Sequence, residues 1–136
     1  MIQLRQIDLA DDYTTLLNWW AGHEAPTVPQ VLLPTLGMMA EADGQPVAAV
    51  WLWMANDRGV SFLTFMVTKP GIPALLASDA CTALVECMEK VALSHGYGLM
   101  FAIAPCHGGA VKLLRRLGFD AGNTEPHIHL LKTLAQ

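Results

Sequence analysis

The chain has 136 residues, of which 53% are hydrophobic and only 15% charged, and its net charge is −4. That length supports one core and a single domain over residues 1–136. The acidic balance and only eight scattered Lys and Arg argue against a nucleic-acid binder, and the longest uncharged run, residues 91–111, holds Ser94, His95, Pro105 and four glycines, which makes a poor membrane span.

In chain order, residues 2–6 read as a short strand. Asp8 then caps a helix whose apolar positions Leu9, Tyr13, Leu16, Leu17 and Trp20 keep helical spacing, with Gly22 as its stop. Three prolines interrupt residues 25–34, so that stretch reads as an irregular loop, with room for one helical turn, packed over the domain. Residues 36–42 and 47–54 read as two strands joined at Asp43-Gly44, a dipeptide that tolerates the positive φ of a tight hairpin. After the turn at 56–59, residues 60–68 form a strand apolar on both faces, as a central strand should be. Residues 77–95 repeat Ala77, Ala80, Cys81, Leu84, Met88, Val91 and Ala92 on one helical face. Gly96-Tyr97-Gly98 ends that helix, and residues 99–104 read as a buried strand parallel to 60–68, completing a right-handed β-α-β crossover. A last helix spans about 107–117 with Ala110, Leu113, Leu114 and Leu117 inward, closed by Gly118, and strands follow at 119–121 and 127–132.

Arg5, Asp8, Asp11 and Asp12 stand where a signal peptide would need an apolar core, so a cytoplasmic protein is expected. Cys81, Cys87 and Cys106 are an odd number without metal-ligand spacing and read as free thiols. So apolar a composition implies apolar surface hidden in a homodimer.

The element order and the ending His107-x-x-Ala110-x-x-Leu113-Leu114-Arg115-Arg116-Leu117-Gly118-Phe119 resemble the GNAT acyl-CoA N-acetyltransferases over nearly the whole chain. Small phage-encoded members of that family are similar in length. The resemblance implies an α/β (α+β) fold: a mixed sheet of six to seven strands, an antiparallel meander followed by the parallel crossover, and about four helices. It also implies acetyl-CoA as cosubstrate. In that family the central strand and the strand after the crossover part, and pantetheine lies between them as a pseudo-strand. Here those strands are 60–68 and 99–104, and backbone groups near Met66 and Val67 would hold the acetyl carbonyl and the pantetheine amides.

For the pyrophosphate, the resemblance points to the start of the crossover helix at Leu75, Leu76, Ala77, Ser78, Asp79 and Ala80, where free amides and the helix dipole would face the phosphates. Ser78 and Ala80 are small enough for close approach, whereas Leu75 supplies no cation and Asp79 opposes a polyanion. Residues 72–80 read equally as a plain helix entrance. His107 and Ala110 fall where the family contacts the cofactor. The family's strand carboxylate and helix tyrosine are replaced by Thr64 and Leu114, neither of them an acid or base. His107 reads either as a helix cap beside Pro105 or as the substitute acid. His23 and Glu24, flanked by Trp19 and Trp20, read either as an exposed loop pair or as the acceptor site, with Glu24 as a base acting through water. His127 and His129 share a strand face; no third metal ligand is evident, and no metal is expected.

Two functions follow. The first is direct, acetyl-CoA-dependent acetylation of a small-molecule or protein amine, with Glu24 and His107 as base and acid. The second is a GNAT-fold binding or interaction protein that has lost catalysis, which the residues at Thr64, Leu75 and Leu114 favour.

Overall fold

The computed structural model describes residues 1–104, 109–122, 125, 130, 132 and 134. They fall into two compact units, Met1–Ile103 and Ala104–Gln136. The first unit contains β1 (Ile2–Gln6), α1 (Leu9–Gly22), a 3-10 turn (Gln30–Leu32), β2 (Gly37–Ala42), β3 (Gln45–Met54), β4 (Val60–Thr68), α2 (Ala74–Ser94) and β5 (Leu99–Ala102). The second contains α3 (Gly109–Arg116).

The five strands form one sheet in the order β1-β2-β3-β4-β5. The first three pairings are antiparallel and β4 pairs with β5 in parallel, as the meander and crossover require. Asp43 and Gly44 both hold positive φ, 50° and 75°, at the β2–β3 hairpin. Fewer elements are present than the six to seven strands and four helices expected. Among the described residues there are five strands, three α-helices and the 3-10 turn; residues 119–121 are not a strand, and 127–129 lie outside the described residues.

Alternation along β3 assigns the sheet's two faces to two helices. Ala49 and Trp51 point toward α1, where they join Leu16, Trp19, Trp20, Leu33, Met39 and Val67 in one buried cluster. Ala48, Val50 and Leu52 point the other way and are buried on the face that α2 covers. The buried stripe of α2 is Ala80, Cys81, Leu84, Val85, Met88 and Ala92. Cys81 is a free thiol whose pKa burial pushes up to about 11, so it is an unreactive core residue.

Helix α1 begins as its sequence dictates: Asp8 is extended and its carboxylate accepts from the Ala10 amide at 3.1 Å. Its end differs from expectation. Gly22 is the last helical residue, and a Cβ there would meet Pro70 Cγ at 2.5 Å, so its smallness serves packing. The chain leaves the helix through Glu24, which holds φ 54°.

Arg5 of β1 binds the start of α1 to the sheet. Its Nη1 and Nη2 donate to the two Asp12 oxygens at 2.8 and 2.9 Å, and its Nε donates to Glu41 of β2 at 3.1 Å. Asp12 is only 5% exposed and also accepts from the Asp8 amide at 2.9 Å. The Arg5 hydrogen bonds, helped by that amide and opposed by burial, hold the Asp12 carboxyl below its ordinary 3.8. A depressed folded-state pKa adds stability that is complete above the unfolded value and is lost as pH falls through the folded one. The Asp12 contribution is therefore lost progressively as pH falls below about 4. We expect Asp12→Asn to unfold about 1–3 kcal/mol more easily at pH 7 and to show a flatter loss of stability below pH 4, read from urea midpoints across that range. Equal acid slopes in the two proteins would reject the assignment.

Candidate functional site

β4 pairs with β3 along nearly its whole length but with β5 only over its first half. At its start it is closed against β5: the register runs Val60↔Leu99, Ser61↔Met100, Phe62↔Phe101 and Leu63↔Ala102, and the buried Ser61 hydroxyl donates to the Leu99 carbonyl at 3.0 Å. The parallel ladder stops there. β4 continues against β3 as far as Thr68, which pairs with Ala48. Residues 64–68 therefore have a ladder on one edge only, among the described residues, and β5 ends at Ala102 instead of the expected 104. A strand edge without a partner presents backbone amides and carbonyls that need hydrogen bonds.

The same segment is bulged. Between the pairs Trp51↔Thr64 and Ala49↔Val67, β3 spends one residue and β4 two, Phe65 and Met66. Phe65 takes the strain, with φ 56°. A left-handed backbone costs a bulky L-residue roughly 1–2 kcal/mol, and such strain survives only where surrounding contacts impose it. Beside it, the buried Thr64 Oγ1 has no hydrogen-bond partner among the described residues, an omission that costs about 1–3 kcal/mol unless a ligand or water satisfies it.

Five residues, 69–73, separate the end of β4 from the start of α2. Pro73 precedes the helix and supplies no side-chain cap, while its carbonyl accepts from the Ala77 amide at 3.0 Å. The amides of the first turn have no intrahelical acceptor, so this 21-residue helix has the backbone polarity that favours an anion. The side chains contribute less. Leu75 is 74% exposed, Asp79 is exposed, and Ala80 is fully buried in the core, so its smallness serves packing and it is withdrawn as a phosphate contact. Ser78 is half-buried.

His23 caps the end of α1 and its Nε2 lies 2.7 Å from the Thr68 carbonyl, which puts His23 and exposed Glu24 at the far end of β4. Trp19 and Trp20 are each 4% exposed and belong to the core cluster, so they are corrected from acceptor contacts to structural residues. Met66 is half-buried, and the Val67 side chain lies in the core while its backbone stays on the parted edge. His107, Cys106, His127 and His129 lie outside the described residues. Ala110 is half-buried on α3, where Leu113 and Leu114 are the buried positions. Gly118 follows with φ 95°, and the Phe119 amide donates to the Leu114 carbonyl at 3.0 Å, the expected glycine-closed helix end.

Sequence reasoning missed the bulge and the unsatisfied Thr64 hydroxyl. Residues 60–68 contain no glycine to mark an irregular strand. Among the described residues, no three His, Cys, Asp or Glu side chains gather as a metal site, and no helix is long and apolar enough to cross a membrane.

No protein-family model matches the sequence, and no curated protein matches it. Solved structures do match. Ribosomal-protein-S18-alanine N-acetyltransferase from Escherichia coli is similar with a TM-score of 0.71 and 15% identity, over 90% of this chain and 80% of that one. An acetyltransferase from Trypanosoma brucei has a TM-score of 0.65 and 17% identity over 96% and 100% of the two chains. An aminoglycoside acetyltransferase from an uncultured soil metagenomic sample has a TM-score of 0.66 and 12% identity over 98% and 97%. With its mixed sheet, crossover helix and parted β4, this chain has the fold of the GNAT acetyltransferases.

Proposed function

We propose that this chain is an N-acetyltransferase that moves an acetyl group directly from acetyl-CoA to an amine. The single observation that carries this reading is the parting of β4 from β5 after Leu63, coincident with the bulge at Phe65. Together they offer a slender amide-bearing ligand a strand edge to pair with. The pantetheine arm of acetyl-CoA has two such amides, and residues 64–68 would hold it by main chain alone. The first-turn amides of α2 would face its phosphates, without help from an exposed cation at Leu75.

Acetyl-CoA would supply an acetyl group already activated as a thioester. The protein's task is then to orient the amine, accept a proton from it, and return a proton to the departing thiolate. Glu24, exposed at the end of β4, is our candidate to accept the amine proton through a water, and His107 to supply the other. The fold's solved neighbours act on amines as different as a ribosomal protein's alanine and an aminoglycoside, so the fold leaves the acceptor open.

A second reading is favoured by a specific set of side chains: Leu75 is exposed and apolar where a cation would help, and Leu114 is buried where an acid would stand. These suit a binding protein without catalysis. One experiment separates the two. Saturating acetyl-CoA should raise the melting temperature, because it binds the native state alone, and thiol release should follow addition of amines, falling at least tenfold in Glu24→Gln. No shift and no calorimetric heat would end the enzyme reading. A shift without thiol release would favour the binding protein.

A further inference from the structure

Within the first unit, the end of the sheet where β4 is closed against both neighbours carries an aromatic row on one face. Trp53 of β3 stands opposite Phe62 of β4, and Phe62 stands opposite Phe101 of β5; directly opposed residues share a face. The Phe62 and Phe101 ring centroids lie 5.3 Å apart. Leu99 shares the Phe101 face by alternation, and Ile103 continues that alternation just past the end of β5. Ser61 and Leu63 point the other way and are buried.

Trp53 follows Trp51 by two residues, so the row lies on the α1 side of the sheet. Yet Trp53 is neither buried in the α1 cluster nor packed against it. The helix stops short of this end, and Trp53, Phe62, Leu99, Phe101 and Ile103 stand between 37% and 61% exposed. Taking about 200 Å² for a whole large side chain, the five leave on the order of 500 Å² of apolar surface open. A standard interface takes about 800 Å² from each partner, and about 65% of a homodimer interface is apolar. The row therefore supplies nearly all the apolar area that one protomer of a stable dimer contributes.

We propose that two copies of this chain pack face to face through Trp53, Phe62 and Phe101 as a two-fold dimer. Sheet faces stack about 10 Å apart with interdigitating side chains, and a two-fold pair closes on itself by using one patch twice. The other large apolar residues exposed in this unit, apart from Phe65 at the bulge, lie before β1 (Met1), in the proline-rich loop (Val31) and at the two ends of α2 (Leu75 and Leu93). The surface that matches the row is thus the same row on another copy. The exposed turn at 56–59 borders it with one charge of each sign, Asp57 and Arg58, so the face does not repel its own copy. The proposal stands independently of the acetyltransferase reading.

Sedimentation velocity of the full chain tests it. We expect a dimer at about 50 µM that dissociates on dilution. Phe101→Lys and Trp53→Lys should each raise the dissociation constant at least tenfold, whereas Leu93→Lys, on the last turn of α2, should leave it unchanged. Trp53 is the one exposed tryptophan of the four, the others being at most 4% exposed, so acrylamide quenching of the unmodified chain should fall as the dimer forms. That measurement needs no variant to fold. A monomer at every concentration overturns the dimer: shielded Trp53 would then mean that the chain covers its own row, and open Trp53 that a different partner does. A dimer indifferent to both lysines, or quenching that does not change with assembly, overturns this face as its interface.

Discussion

Phe65→Val should weaken acetyl-CoA binding at least tenfold, while Phe65→Gly should bind within about threefold of the unchanged protein. The two substitutions remove the same aromatic ring, which is only 37% exposed, and differ in what they ask of the backbone. At φ 56° glycine is unstrained, whereas a β-branched residue is strained more severely than phenylalanine. Valine will therefore pull the segment back toward regular strand geometry and remove the two-against-one register at Val50. Glycine keeps that register and relieves roughly 1–2 kcal/mol of strain, partly offset by the lost ring contacts. Calorimetric titration with acetyl-CoA, alongside urea unfolding of both variants, makes the comparison. Equal affinities for the two would break the link between the bulge and the acyl site.

Trp51→Ala should cost about 3–5 kcal/mol, the range for emptying a fully buried aromatic site, and lower the melting temperature by roughly 10 °C or more. The residue is 1% exposed, stands at the centre of β3, and belongs to the α1 cluster. Its partner in this prediction is Gly37. Gly37→Ala drives a Cβ into the indole and should cost about 1–3 kcal/mol on its own, but much less in a Trp51→Phe background, where the smaller ring leaves space. A double-mutant cycle reads that coupling directly. Additive losses would show that the close approach of β2 to the indole is not what makes Gly37 necessary.

The loss at Trp51 also bears on Thr64. A cavity there would hold water only where polar atoms line it, and the Thr64 hydroxyl, without a partner among the described residues, is one such atom. Part of the cavity penalty would thereby be recovered, which places Trp51→Ala toward the lower end of its range if the cavity fills.

The sequence alone determined whatever depends on near neighbours along the chain. The limits of β1 and β4 and the start of α1 followed from periodicity and from Asp8, whose short carboxylate reaches its own helix start. Asp43-Gly44 and Gly118 were legible because positive φ strongly favours those residue types. α2 starts three residues earlier than its apolar repeat, because its first turn is exposed and carries no pattern. The element order was legible enough to suggest the fold before any coordinates.

Tertiary structure decided the rest, since it depends on what each residue meets across the fold. Trp19 and Trp20 resemble an acceptor wall in the sequence, yet packing with Met39, Ala49, Trp51 and Val67 of the sheet makes them core. Ala80 resembles a phosphate contact and is buried by the same kind of packing. Phe65 carries no local mark of its left-handed backbone, which exists only because β3 keeps its register on both sides of it. The exposed row of Trp53, Phe62 and Phe101 joins residues from β3, β4 and β5, and such a meeting has no signature along the chain. Local propensity can place strands and caps because its range is a few residues; a site made where distant segments meet is written only in their packing.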